Sequence, residues 1–173
     1  LVYNDSAVLE NHHLHIGFSL MKKHNVLAPL KPGHQNEVRR TIIALVLATE
    51  MTEHFRIVSE FSAAQKHGGL NLACLSQTLS GIPKDPLLQQ QHQQQQERRL
   101  LVIKMLIKLA DASNVARPLE TMQKWAERVF DEFLEQGDKE RRLGMQVANH
   151  MDRTVARLSR VQSNFLNFIA LPM

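Results

Sequence analysis

Asp111 follows directly on LLVIKMLIKLA, Leu100 to Ala110, a run whose only polar members are Lys104 and Lys108. An ionised carboxylate at the end of so apolar a segment is costly unless a cation or strong donors meet it. A divalent metal is one such partner, and Arg117 at the helix end is the other. Four polar pairs lie in or beside apolar stretches at helical separations. Glu10 and His13, Asp111 and Asn114, and Gln162 and Phe165 are i,i+3, while Glu50 and His54 are i,i+4, so each pair is expected on one helix face. For Gln162 and Phe165 a core phenylalanine beside a surface glutamine is the alternative. Nine histidines also invite a metal reading, with His12, His13 and His15 close together. Adjacent helical residues point about 100° apart, however, so His12 and His13 need help from elsewhere to share an ion. Neither an HExxH arrangement nor a CxxC pair occurs.

Helices must carry these residues. Asp5 or Ser6 is expected to N-cap a helix with Val8, Leu9, Ile16 and Leu20 on its apolar face. A break follows at Pro29, Pro32 and Gly33. One helix is then predicted from about Glu37 to Phe61, with Ile42, Leu45, Val46, Ala48 and Met51 inward, ending near Gly68-Gly69. Leu79 to Pro86 reads as a loop. Leu87 to Gln96, LLQQQHQQQQ, is a polyglutamine tract broken once by His92. It has too little apolar surface to order itself and is expected to be a solvated insertion loop. Leu100 to Leu109 is expected to be a helix buried on most of its circumference. Arg117-Pro118 marks a turn, Thr121 to Glu135 a helix, and Gln136-Gly137-Asp138 its stop. A last helix is predicted from about Arg153 to Ala170. No alternating strand pattern and no repeat is present, so the fold class is all-α.

The chain has 173 residues, 21 Lys+Arg against 17 Asp+Glu, and a formal charge of +4. Its cationic clusters, Glu97-Arg98-Arg99 and Lys139-Glu140-Arg141-Arg142, mix both signs, whereas a nucleic-acid surface calls for a concentrated basic stripe. Nucleic acid is therefore excluded as the main partner. No segment reaches the roughly 18 apolar residues of a membrane span. The single cysteine, Cys74, cannot form an internal disulfide, which points to a reducing compartment, and a cytoplasmic location is expected because no targeting signal is visible. Aromatics make up 5% of residues, leaving the core to Leu, Ile, Val, Ala and Met.

Five blocks add a resemblance. YNDSAVLENHH (Tyr3 to His13), LATEMTEHF (Leu47 to Phe55), KLADASNVARP (Lys108 to Pro118), WAERVFDEFLEQGDKER (Trp125 to Arg141) and VQSNFLNFIALP (Val161 to Pro172) occur in one order across nearly the whole chain. Together they resemble the catalytic domain of class I 3′,5′-cyclic nucleotide phosphodiesterases. The resemblance implies a multi-helical, HD-superfamily-like domain with two divalent ions, zinc and then magnesium or manganese, in a deep pocket. It implies that Asp111 ligates the tightly held metal, that Gln162 hydrogen-bonds the purine and that Phe165 stacks on it. It further implies that Asn114 contacts the base, with cAMP favoured and cGMP possible. Glu10, His13 and Thr49 correspond to pocket residues near the metals, Glu10 and Thr49 as holders of metal-bound water. These roles agree with the chemistry. Metal-bound water supplies hydroxide at neutral pH, and a glutamine amide offers the donor and acceptor that a purine edge needs.

The departures matter equally. The HNxxH and HDxxH motifs that hold the family's remaining ligands and its general-acid histidine are not in this sequence. No catalytic residue is thus assigned here, and that histidine is expected upstream. Glu50 stands where the family commonly has Asp, and Ser163-Asn164 replaces an apolar-Gly pair. The sequence opens on Leu1-Val2-Tyr3 and closes at Met173. Residues 1–173 are therefore expected to be the C-terminal part of one phosphodiesterase catalytic domain that lacks its N-terminal helices, inactive in isolation and loosely packed. A homodimer is possible. The alternative is a catalytically dead truncated copy acting as a helical interaction fragment.

Overall fold

The computed structural model describes residues 2–66 and 85–173. Cys74, Gly68-Gly69 and most of the expected Leu79–Pro86 loop lie outside them. Among the described residues there are helices and turns and no strand, as the periodicity predicts. The helices are α1 (Val8–Lys23), α2 (Pro32–Leu47), α3 (His54–Lys66), α4 (Pro86–Asp111), α5 (Leu119–Arg142) and α6 (Leu158–Phe165). Single 3-10 turns occur at Met51–Glu53 and Ser113–Ala116, and a π turn, Leu166–Ala170, continues α6. The chain divides into two compact units, Leu1–Lys108 and Leu109–Met173.

In the first unit α1 packs on α2. Neither Asp5 nor Ser6 caps α1, contrary to expectation. The chain enters through left-handed residues Asn4, Asp5 and Ala7, and the cap position is Ala7 itself, with no side-chain cap bond. Asn11 Nδ2 instead donates to the Ser6 carbonyl at 2.9 Å. The expected apolar face of α1 is also displaced: Leu14 is buried, whereas Val8, Leu9, Ile16 and Leu20 are exposed. Pro32 opens α2 at its first turn, where a missing N–H costs nothing.

The single helix expected from Glu37 to Phe61 is two. Thr49 Oγ1 donates to the Val46 carbonyl at 2.7 Å, a local bond that competes with helix continuation. Glu50 is extended (φ −54°, ψ 133°), the chain makes one 3-10 turn, and α3 starts at His54. The Ala48 carbonyl at this break accepts a hydrogen bond from Lys108 Nζ of α4 at 2.9 Å, so a cation completes a helix C-terminus. Ile57, Met105 and His54 are the largest fully buried side chains.

The polyglutamine tract is helical, not a loop. Asp85 Oδ1 accepts the Leu87 N–H at 2.8 Å and Pro86 fills the first helical position, so Asp85-Pro86 is a helix start. Glutamine is a good helix former, and extending a helix already anchored by Val102 and Met105 costs little. Gln93 to Glu97 (3.0 Å) and Gln96 to His92 (2.8 Å) form i,i+4 bonds on its surface. Farther on, burial is narrower than expected: Val102, Met105 and Lys108 are buried, while Leu106 and Leu109 are exposed.

The second unit is organised by α5, which packs against α6 and against the 3-10 turn Ser113–Ala116. Its buried residues are Ala112, Ala126, Leu134, Gly137 and Ala156. Gly137 does not stop α5. The helix runs on to Arg142, and the left-handed residue after it is Gly144 (φ +71°). A Cβ on Gly137 would lie 2.0 Å from the Met151 carbonyl oxygen, so the glycine serves a close backbone approach. The last helix begins at Leu158 rather than near Arg153.

Candidate functional site

In the first unit α1 carries Glu10, half-buried, and His13, exposed. Thr49 is half-buried in the turn after α2, and its hydroxyl proton is committed to the Val46 carbonyl. Its oxygen is left as an acceptor. Glu50 caps the 3-10 turn and His54 begins α3, so this pair does not share a helix face as expected. Glu50 lines a cleft of about 320 Å³ together with Ser6, Asn11, Glu53, Arg56 and Lys104. Neither Glu10, His13 nor Thr49 lines that cleft. The charge inside it is balanced. Arg56 pairs with Glu53 and, at 2.6 Å, with Glu60, and the hydrogen bond from Arg56 holds the Glu53 carboxyl below its usual range. A larger open groove of about 700 Å³ runs along α1 and α2 past Leu14, Phe18 and Ile43, with Arg39 stacked 4.2 Å from the Phe18 ring. None of the expected site residues lines it.

Sequence inspection missed the importance of Lys108 and His54. Lys108 is 4% exposed and His54 1% exposed. Burial pushes the His54 imidazole below its ordinary pKa, and the Lys108 ammonium adds to the effect. The sequence signal was available: Lys108 is a charge inside an apolar run, and such a charge is either solvated or gripped by a partner.

In the second unit Asp111 ends α4 with its side chain exposed. Among the described residues it forms no ion pair, and the alternative partner Arg117 donates its backbone N–H to the Asn114 carbonyl at 3.3 Å. Asn114 is half-buried on the 3-10 turn that packs on α5. Gln162 and Phe165 both lie on α6, half-buried. The Gln162 Nε2 is fully buried without a hydrogen-bond partner among the described residues. An unsatisfied buried amide donor costs about 1–3 kcal/mol, and the His54 Nε2 in the first unit is likewise buried without a partner among the described residues.

The two metal ions implied by the resemblance can be compared with the donors present. Asp111 offers an unpaired carboxylate, a suitable hard ligand. A catalytic zinc takes three protein ligands and an open position. Among the described residues no three His, Cys, Asp or Glu side chains are grouped to hold an ion. His12, His13 and His15 do not form such a group: His12 Nδ1 meets the Tyr3 hydroxyl at 3.2 Å, and His13 and His15 are exposed. The described residues alone therefore do not fit a catalytic metal.

Comparison with known proteins gives the context of these side chains. The mouse (Mus musculus) 3′,5′-cyclic-AMP phosphodiesterase 4C is 33% identical over 175 residues, covering all of this chain and 23% of that protein. A probable 3′,5′-cyclic-AMP phosphodiesterase, pde-4, of Caenorhabditis elegans is 31% identical over 178 residues, covering all of this chain and 24% of that protein. A solved structure of LmjPDEB1 in complex with IBMX superposes with a TM-score of 0.74 at 32% identity, over 95% of this chain and 43% of that one. The chain thus spans about a quarter of the length of these curated relatives. The sequence model of the family described as 3′5′-cyclic nucleotide phosphodiesterase matches residues 1–173, and the chain belongs to that family.

Proposed function

We propose that this chain is the C-terminal part of a catalytic domain that hydrolyses 3′,5′-cyclic nucleotides, cAMP in preference to cGMP, to the 5′-monophosphate. The observation that carries the reading is the family match along all 173 residues. The family is metal-dependent in general. In this proposal the ions are zinc and then magnesium or manganese, Asp111 supplies one ligand, and the other ligands and the general-acid histidine come from outside the described residues. Bound ions would supply an activated water and neutralise charge on the phosphoryl oxygens. This chain's own part is to hold the nucleotide. Gln162 is assigned to the purine edge and Phe165 to the ring, both from α6, and Asn114 of the 3-10 turn Ser113–Ala116 to the base. Glu10 and Thr49 present acceptor oxygens suited to the hydrogens of ordered water. The substrate preference is supported by the two cyclic-AMP relatives. A cytoplasmic location and a homodimer belong to the same proposal.

One observation favours a second reading, a non-catalytic helical fragment: no three potential ligands are grouped among the described residues. Hydrolysis of labelled cAMP and cGMP with Mn²⁺ separates the two. The comparison is between the 173-residue chain and the product of the whole reading frame that contains it. Turnover by the latter, abolished by Asp111→Asn and with its affinity for nucleotide lowered by Gln162→Ala, is the expected result. A full-length product carrying the HNxxH and HDxxH motifs but unable to hydrolyse either nucleotide would sink the proposal.

A further inference from the structure

The segment between α5 and α6 is held against α5 in a way that neither the family match nor the assigned side chains require. At Gly137 a Cβ would meet the Met151 carbonyl oxygen at 2.0 Å and its carbon at 2.8 Å, so the returning backbone lies directly on the helix. Two ion pairs flank this contact with alternating donors. Asp138 of α5 accepts from Arg153 Nε and Nη2 at 3.0 and 2.8 Å, while Arg141 of α5 reaches Asp152 at 2.7 Å. Asp152 also accepts from the Thr154 N–H at 2.9 Å and the Thr154 hydroxyl at 2.7 Å, and its own carbonyl accepts the Ala156 N–H at 2.7 Å. The Thr154 bonds first and Arg141 second bring the Asp152 carboxyl down to about 2. Ala156 is buried, and α6 starts two residues later.

We propose that Gly137 and the crossed pairs Asp138–Arg153 and Arg141–Asp152 form a clasp that positions α6, and with it Gln162 and Phe165. This inference rests on the reading of those two side chains as base-contacting. Exposed ion pairs stabilise little one at a time. What they add here is register, because they fix which residue of the segment meets which residue of α5. Gly137 sets the depth, since any side chain there would have to lift the segment away from the helix.

The test is amide hydrogen exchange and NMR on the product of the whole reading frame that contains these 173 residues. Gly137→Ala is compared with Gly17→Ala, a helical glycine whose added Cβ would meet nothing within 4 Å. Gly137→Ala is expected to speed exchange in residues 147–166 by about tenfold or more while amides in α1 and α2 keep their rates. Gly17→Ala is expected to speed neither. Arg153→Gln leaves the close contact untouched and is expected to move the Gln162 side-chain amide and Phe165 ring signals with far-UV circular dichroism unchanged. Arg153→Lys is expected to return those signals part of the way. Equal acceleration in α1, α2 and α6 on Gly137→Ala, or unmoved Gln162 and Phe165 signals in Arg153→Gln, overturns the proposal. No nucleotide enters these measurements, so an absence of hydrolysis would count against the base-contacting role and leave the clasp to be judged by itself.

Discussion

Two buried side chains in the first unit, Lys108 and His54, show how single residues hold a break between helices. Lys108 closes the C-terminus of α2 through the Ala48 carbonyl, and His54 opens α3 beneath it. The histidine makes a pH prediction. Its folded pKa lies below the ordinary 6.5, with burial the main cause and Lys108 the second. The unfolded chain therefore takes up a proton more readily than the folded one on acidification. Stability from the neutral ring is complete above about 6.5 and is lost as pH falls through the lowered folded value. Protection of the Ile57 and Val58 amides, corrected for intrinsic exchange, is expected to decline from pH 7 to pH 5 and to become flat in His54→Gln. An unchanged slope in that variant would show that another group titrates. The residue types of Lys108 and His54 were plain in the sequence, but their burial was not, because it depends on elements far apart in the chain meeting, as Lys108 meets the Ala48 carbonyl across 60 residues.

At the scale of elements, α4 joins two halves of opposite character, an exposed glutamine-rich half and a half anchored by Val102 and Met105. The exposed half persists by propagation from the anchored one, with the Asp85 cap at its start. A proline placed in it should therefore unwind the tract without unfolding the unit. Gln91→Pro is expected to reduce ellipticity at 222 nm. The protection of Val102 and Met105 amides should change by less than about 0.5 kcal/mol, the usual effect of a surface substitution away from packed features. Loss of protection at Met105 would instead show that the tract is packed in a way its exposure does not reveal. The tract was misread from composition because low hydrophobicity argues against independent folding, and it says nothing about a segment continuous with an anchored helix. Gly137 was misread in a similar way. A glycine near a helix end serves a stop or a close approach equally well, and the carbonyl of Met151 decides between them.

Across the whole molecule, large apolar side chains stand in solvent in both units: Leu9, Leu20 and Phe55 in the first, Trp125, Phe168 and Leu171 in the second. Scattered exposure is ordinary, but exposed apolar side chains on this scale favour association or dye binding. The 173-residue chain is expected to enhance the fluorescence of 8-anilinonaphthalene-1-sulfonate at neutral pH and to sediment faster as its concentration rises. A dye-silent monomer at every concentration would contradict this.

The sequence by itself determined the helical class, the family and the identity of the side chains proposed to meet the nucleotide, because each of these is a matter of local pattern. Periodicity lies within a few turns, and each block that carries the resemblance is a run of 9 to 17 consecutive residues. Tertiary structure alone decided that the Ala48 carbonyl after α2 meets Lys108, that Lys108 is buried, that Gly137 lies against the Met151 carbonyl and that the Gln162 amide is left without a partner among the described residues. All four depend on which distant backbone or side-chain atom comes within bonding distance, and burial and hydrogen-bond satisfaction are properties of neighbours in space rather than along the chain.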